Sequence, residues 1–246
     1  MSLMSNQAIV TTAFDLSNEM PLSYLSTGSE ELDSLLDGGI RMGEIIEISG
    51  PSGSGKSQLV MSLASNCGAQ CSIIDTSHGI CPERLVEMMR HSEPSSDIHT
   101  VKENLSNITI ANVHNIFQLC ETLESIPSTT KLLIVDCISL FIAAEFGKGY
   151  AGQAAVESIT KLLRSIARMH NMAVVVTNGI VSNRNSKKGE GRTKPALGRT
   201  WSFTPDRRLM LSAEDRYQIP QRCSSSDYRC SIQVISAGIQ MQKIDI

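Results

Sequence analysis

The sequence predicts an α/β fold in which a mostly parallel sheet carries helices on both faces. Three observations support that expectation. Short apolar runs recur along the chain, at Glu44 to Ser49, Cys71 to Asp75, Lys131 to Asp136 and Met172 to Thr177. Strands buried on both faces read this way, whereas a half-exposed strand alternates polar and apolar residues. Segments with helical periodicity separate the runs, which is what parallel strands need for their crossovers. The third observation is a glycine-rich octet, Gly50 to Ser57, lying between one such strand and one such helix.

The elements follow in order. Residues 1–24 are polar and without a clear period, so an interaction arm or linker is expected there, with the core over 25–246. Thr27-x-x-Glu30 fits a capping box, in which hydroxyl and carboxylate satisfy backbone donors at a helix start. Leu32, Leu35 and Leu36 give that helix an apolar face, and Gly38-Gly39 suits its end. Beyond the octet, Leu59, Val60, Leu63, Ala64 and Cys67 share one face of a helix over 56–67. Pro82 suits the first turn of a helix running to about His91. A strand is expected at Ile108 to Ala111 and a helix from about Asn115 to Leu123. A longer helix spans about Ala154 to His170, with Val156, Ile159, Leu163 and Ile166 inward. Residues 178–200, polar and basic with several glycines, read as a long loop, and strand-like runs follow at 207–211, 229–235 and 237–242.

Composition narrows the function classes. The chain has 246 residues, 41% of them hydrophobic and 19% charged, which excludes a wholly disordered or collagen-like protein. A net charge of −3 excludes a generic polyanion binder, so any nucleic-acid contact must come from a local basic patch. The seven cysteines form no zinc-site spacing and no complete disulfide framework, and read as small buried hydrophobes in a reducing compartment. No stretch approaches the ~20 apolar residues of a membrane span, and no basic region leads into an apolar run at the N-terminus. The expectation is an intracellular soluble protein without membrane contact.

Gly50, Pro51, Ser52, Gly53, Ser54, Gly55, Lys56 and Ser57 satisfy G-x4-G-K-S/T in the strand–loop–helix setting that this pattern requires. Glycines let successive N–H groups turn inward around a phosphate, and the helix N-terminus adds its dipole. Lys56 would reach the β/γ-phosphates, and the Ser57 hydroxyl would hold Mg²⁺. The run KLLIVD ends at Asp136 and supplies a carboxylate at a strand's C-terminal end, suited to organising that Mg²⁺. Two strands between the octet and Asp136 leave room for an inserted strand, as in the additional-strand ATPases.

These residues resemble a known family. Leu25-Ser-Thr-Gly28, Leu36-Asp37-Gly38-Gly39-Ile40, Gly43-Glu44, Asp75-Thr76 with Pro82-Glu83-Arg84-Leu85, and Val174 to Asn178 are similar to the eukaryotic RecA-like recombinases. Lys194 to Phe203 (KPALGRTWSF) is similar to the recombinase paralogues, and most of all to the D-type paralogue. The resemblance covers about residues 10–235. It implies a RecA-like P-loop ATPase core, binding of ATP and Mg²⁺, and association with single-stranded DNA. It also implies assembly with other recombinase paralogues in homologous-recombination repair, assistance to the main recombinase, and a nuclear location.

Departures from the family are equally specific. Two residues after Asp75, where the strand-exchange enzymes carry a water-polarising glutamate, stands Ser77, followed by His78. Hydrolysis needs a group to orient and activate water, and a serine hydroxyl is a poor base at neutral pH. The glutamine that senses the γ-phosphate in those enzymes is Gly179 here. Both changes predict a chain that binds ATP and turns it over slowly, as a weak DNA-dependent ATPase at most. The family usually carries an N-terminal helical domain, whereas about 24 residues precede Leu25, so no separate helical domain is expected. Val10-Thr-Thr-Ala13 resembles the Phe-x-x-Ala motif by which one recombinase subunit adds to its neighbour, which makes Val10 and Ala13 candidate partner contacts.

Arg184, Lys187, Lys188, Arg192, Lys194 and Arg199 stand against one acid, Glu190, in a segment placed like the family's DNA-binding loop. Such a cluster suits backbone phosphates. Trp201, opening an apolar stretch, is expected to pack at the base of this loop rather than stack on a nucleobase. The competing readings are an independent strand-exchange ATPase and, further off, a small-molecule P-loop kinase whose lid the basic loop would imitate.

Overall fold

The computed structural model describes residues 23–92, 97–142, 150–182, 193–211, 217–218, 229–235 and 238–244. Its centre is a set of strands that are too apolar to face water on either side. These are β3 (Ile45–Ser49), β4 (Cys71–Asp75), β6 (Leu132–Asp136) and β7 (Ala173–Asn178), every residue of which is buried. Successive residues point to opposite faces, so Ile46, Ile48, Ile73 and Ile134 join one core, and Ile45, Ile74, Val135 and Val174 the other.

Helices close both faces. Around the first core lie α1 (Glu30–Leu35), α2 (Lys56–Asn66) and α3 (Pro82–Ser92), through Leu32, Leu59, Leu63, Leu85 and Met88. Around the second lie α5 (Ile116–Glu124) and α7 (Tyr150–Met169), through Leu119, Leu123, Val156, Ile159 and Leu163. Between α3 and β5 (Ile108–Asn112) runs α4 (Ile98–Ser106), a helix that the sequence reading passed over. Asp97 caps it by accepting from the Thr100 N–H at 2.8 Å, and Val101 is its buried contact. A single turn, α6 (Ser139–Phe141), follows β6. Among the described residues no helix is long and apolar enough to cross a membrane.

Among the described residues the sheet has nine strands, in the order β13-β12-β11-β10-β3-β7-β6-β4-β5. The pairings from β10 (Arg207–Leu211) through β5 are all parallel. β11 (Tyr217–Gln218), β12 (Arg229–Ile235) and β13 (Gly238–Ile244) extend it antiparallel. The strand inserted between β3 and β6 is β7, which comes after both in sequence. The two strands that separate the octet from Asp136 along the chain, β4 and β5, lie beyond β6 instead.

Several boundaries move. The first helix is capped by Ser29, which accepts from the Leu32 N–H at 3.3 Å, and not by Thr27. Asp33 accepts the Thr27 N–H at 2.8 Å, and the Thr27 hydroxyl donates to the Ser29 carbonyl at 3.1 Å, so Thr27 builds the turn before the helix. Gly28 in that turn has φ +81°, and a Cβ there would sit 2.5 Å from the Asn66 Cβ. Just ahead of the turn, β1 (Tyr24–Leu25) pairs antiparallel with β2 (Ile40–Arg41), a two-stranded pair that brackets α1 and has no sequence expectation behind it. The long helix starts at Tyr150 rather than Ala154. The described residues on either side of 183–192 carry structure: β8 (Ile180–Ser182) pairs antiparallel with β9 (Thr193–Pro195), and α8 (Gly198–Ser202) follows.

The cysteines divide. Cys67 and Cys71 are buried as expected, whereas Cys81 is exposed and Cys120 and Cys137 are half-buried. A hydrogen bond from one thiol to the other holds Cys67 down at about 7 and pushes Cys71 up, with burial adding to the rise. Leu133→Ala, removing a fully buried side chain from β6, is expected to cost about 2–5 kcal/mol. Leu140→Ala, at a half-exposed position, is expected to stay within about 0.5 kcal/mol. Chemical denaturation with an unchanged slope reads both.

Candidate nucleotide site

Parallel strands present their carboxyl ends at one edge, and ligands of open α/β sheets bind there. That edge carries Gly50 after β3, Asp75 ending β4, Asp136 ending β6 and Asn178 ending β7. Gly50 is pinned: its N–H donates to the Asn178 carbonyl at 3.3 Å. A Cβ on it would meet the Ser54 hydroxyl at 2.6 Å and the Leu211 carbonyl at 2.8 Å, so only glycine fits. Gly55 enters α2 in the left-handed conformation with φ +90° and supplies no side-chain cap, leaving the first N–H groups of the helix directed at the loop.

Lys56 folds across this cradle, donating from Nζ to the Pro51 carbonyl at 2.7 Å and the Gly50 carbonyl at 3.0 Å. Burial pushes its pKa down, while the nearby Cys137 and Asp136 act in the opposite direction. The Ser54 hydroxyl is buried and without a hydrogen-bond partner, an orphaned polar group in the loop of the kind a bound anion would suit.

Asp136 is almost fully buried and both its oxygens are engaged. Ser57 Oγ donates to one at 2.7 Å, and Thr177 Oγ1 donates to the other through a short bond. The carboxylate thereby fixes the Ser57 hydroxyl at the mouth of the loop. A hydroxyl backed by a carboxylate is an oxygen-only donor set, which fits Mg²⁺, a hard cation that keeps most of its shell for phosphate and water. The octet and Asp136, identified separately in the sequence, thus form one site.

At the neighbouring strand end the carboxylate is engaged in the turn. Asp75 accepts from the Ser77 N–H at 2.9 Å, the Ser77 hydroxyl at 3.1 Å and the Ile80 N–H at 2.8 Å, so its carboxylate is spent on the β4–α3 turn. The Ser77 hydroxyl is committed to that bond. His78 is exposed, with φ +55°, and its ring lies against His114 with centroids 4.8 Å apart. Gly179 donates its N–H to the Ser139 hydroxyl at 3.2 Å.

Lys194 on β9 and Arg199 on α8 are exposed, both on the stretch that leaves β7. Arg184, Lys187, Lys188 and Arg192, and likewise Val10 and Ala13, lie outside the described residues. Trp201 is fully buried, in agreement with packing at the base of the segment. Sequence reasoning missed three groups. Thr177 has no role of its own in the sequence analysis, although a polar residue closing an apolar run is a signal. Asn178 marks only the boundary between strand and loop there. Glu47 was absorbed into the strand EIIEIS, where an acid between isoleucines is itself anomalous.

The fold and this site define a P-loop domain of the RecA-like class. The Rad51 family profile matches residues 19–240, and the chain belongs to that family. It is 32% identical over 217 residues to the bovine (Bos taurus) protein named DNA repair protein RAD51 homolog 4, covering 81% of this chain and 65% of that one. The mouse (Mus musculus) protein of the same name is 31% identical over 219 residues, covering 82% and 65%. The chain therefore spans just under two thirds of the length of these mammalian relatives, whose D-type identity agrees with the resemblance carried by Lys194 to Phe203. DNA repair and recombination protein RadB of Thermococcus kodakarensis is 29% identical over 183 residues, covering 73% of this chain and 79% of that one. The crystal structure of the RadB recombinase superposes with a TM-score of 0.72 at 26% identity, over 87% of this chain and 98% of that one.

Gly50→Ala is expected to destabilise the folded chain by about 1–3 kcal/mol through its contacts with Ser54 and Leu211. Gly53→Ala, where a Cβ meets nothing within 4 Å, is limited to the cost of its positive φ. Thermal melting of the two variants side by side reads the difference.

Proposed function

We propose that the chain is an ATP-binding recombinase paralogue, a subunit of a nuclear DNA-repair assembly acting in homologous recombination. The observation that carries this reading is an intact phosphate loop with its Ser57–Asp136 pair in a Rad51-family chain whose next strand end lacks a free carboxylate. ATP with Mg²⁺, when bound, would supply a charged group that the loop residues can hold and that could stabilise an interface to a neighbouring subunit. Lys56 exchanges its carbonyl partners for phosphate oxygens, and the N–H groups of the loop and of α2 hold the same anion. Ser57 offers its hydroxyl to the cation, and Asp136 keeps that hydroxyl oriented.

Water activation is the step that this chain is poorly equipped for. Ser77 has its hydroxyl tied to Asp75, and Gly179 has no side chain to reach the γ-phosphate. A positioned general base contributes about 10²–10⁴ in rate, which sets the scale of the expected deficit. The wild type is expected to bind ATP tightly, with turnover close to that of Lys56→Ala, with or without single-stranded DNA. Ser77→Glu is expected to raise turnover at least roughly tenfold, in line with that contribution. Rapid DNA-stimulated turnover by the wild type would instead identify an independent ATPase.

Partners follow from the sheet edge and the arm. β5 is the sheet's last strand, and among the described residues nothing pairs with its outer side, so it can accept a strand from another subunit. The arm around Val10 and Ala13 supplies an apolar anchor for such an exchange with other recombinase paralogues, and through them with the main recombinase. The relatives' names place them in DNA repair, and the basic residues from Arg184 to Arg199 suit a single strand's phosphates. Val10→Asp with Ala13→Asp is expected to abolish co-purification with a paralogue partner while leaving ATP affinity intact. Retained co-purification removes the arm from the interface.

A further inference from the structure

Of the buried acids among the described residues, Asp75 and Asp136 belong to the strand ends already described, and Glu47 does not. It sits mid-strand in β3, fully buried among isoleucines, three residues ahead of Gly50. A carboxylate at this depth persists only when it is paired and hydrogen-bonded. Two of its donors come from the strands that flank β3. Asn178 Nδ2, at the end of β7, donates to Oε1 at 2.5 Å, and Arg208 Nε, opposite Glu47 on β10, makes a short bond to Oε2. A third, Trp201 Nε1 from α8, donates to Oε1 at 2.8 Å. By strand burial alone an isoleucine would serve β3 as well, so the carboxylate has a task other than filling the core.

The same two strands bracket Gly50. On one side the Asn178 carbonyl accepts the Gly50 N–H at 3.3 Å. On the other, β10 ends at Leu211, whose carbonyl lies 2.8 Å from where a Cβ on Gly50 would stand. Ser49, just before the loop, donates its hydroxyl to the Leu209 carbonyl at 3.4 Å. Asn178 is clamped from a second side as well: Nδ2 also donates to the Ala196 carbonyl at 3.2 Å, and the Ala196 N–H donates to the Gly179 carbonyl at 2.8 Å. One carboxylate thus ties together the two strands whose ends fix the first residue of the phosphate loop. Gly50 in turn supplies one of the two carbonyls on which Lys56 rests.

We propose that Glu47 is a positioning residue for the nucleotide: by holding Asn178 and Arg208 it sets the spacing of β7 and β10 around Gly50, and so keeps the loop in the shape that receives phosphates. The inference rests on the ATP-binding reading above and adds to it a residue outside the octet. Without these bonds the loop keeps its sequence and its charge but samples more arrangements, and part of the binding energy goes into restoring one of them.

The test titrates the full chain with ATP and Mg²⁺ in a calorimeter, with thermal melting beside it. Asn178→Ala removes the side chain that joins Glu47 to β7 and keeps the backbone carbonyl that Gly50 uses, while Glu47→Gln replaces an acceptor oxygen with a donor. Each is expected to weaken ATP binding roughly tenfold. Leu119→Ala, a deletion in the core on the opposite face from α2, is expected to lower the melting temperature and leave ATP affinity unchanged. In the wild type, the Trp201 indole N–H shares Oε1 with Asn178, so its proton resonance is expected to shift when ATP and Mg²⁺ bind, and to stay still in Lys56→Ala. A wild type that binds no ATP overturns the nucleotide reading and this inference with it. A wild type that binds, with Asn178→Ala binding equally well or Leu119→Ala losing as much, overturns the positioning role and leaves the nucleotide reading standing. Should Asn178→Ala and Glu47→Gln both fail to fold, a Trp201 resonance indifferent to bound ATP overturns the role in the same way.

Discussion

The hydrogen bond from Ser57 to Asp136 reaches from the start of α2 to the end of β6, across a strand that belongs to neither. It exists because β7 lies between β3 and β6 and carries Thr177 one residue before its end, where the Thr177 hydroxyl donates to the other oxygen of the same carboxylate. Three elements from distant parts of the chain thus meet on one buried acid. A carboxylate in that position, deprived of its donors, would be a buried charge without compensation, so the alignment of the strand ends and the geometry of the loop stand or fall together. The apolar strands set the spacing within which this contact forms, and the two helical layers keep water from competing for it.

Much of this was legible in the sequence because burial on both faces leaves so little freedom. A parallel strand covered above and below must be apolar throughout, and β3, β4, β6 and β7 announce themselves for that reason. The phosphate loop was legible for a different reason: it needs glycine at fixed offsets and a lysine–serine pair at a helix start, and few other structures do. Asp136 was found by its place at the end of an apolar run.

What escaped was set by contacts between segments far apart in the chain. Thr27 and Ser29 are both good caps, and the choice fell to Ser29 because Asp33, a turn later, claims the Thr27 N–H. Residues 178–200 carry the polarity and glycine of a loop, yet β8 and β9 pair because the clamp on Asn178 and Ala196 brings their ends together. Glu47 went unread since its donors lie 131, 154 and 161 residues away, beyond any local pattern. Local rules find strands and loops, while the polar groups inside the core answer to topology.

Trp201 is the only tryptophan in the chain, and it is buried with its N–H on a carboxylate. The protein consequently carries an intrinsic optical probe at a single defined place, excitable apart from its four tyrosines. An indole in that setting emits as a desolvated ring beside a negative charge, and its emission changes when water enters or the charge moves away. Events at the base of the basic segment can therefore be followed by light in the unlabelled protein, with every spectral change assignable to one side chain.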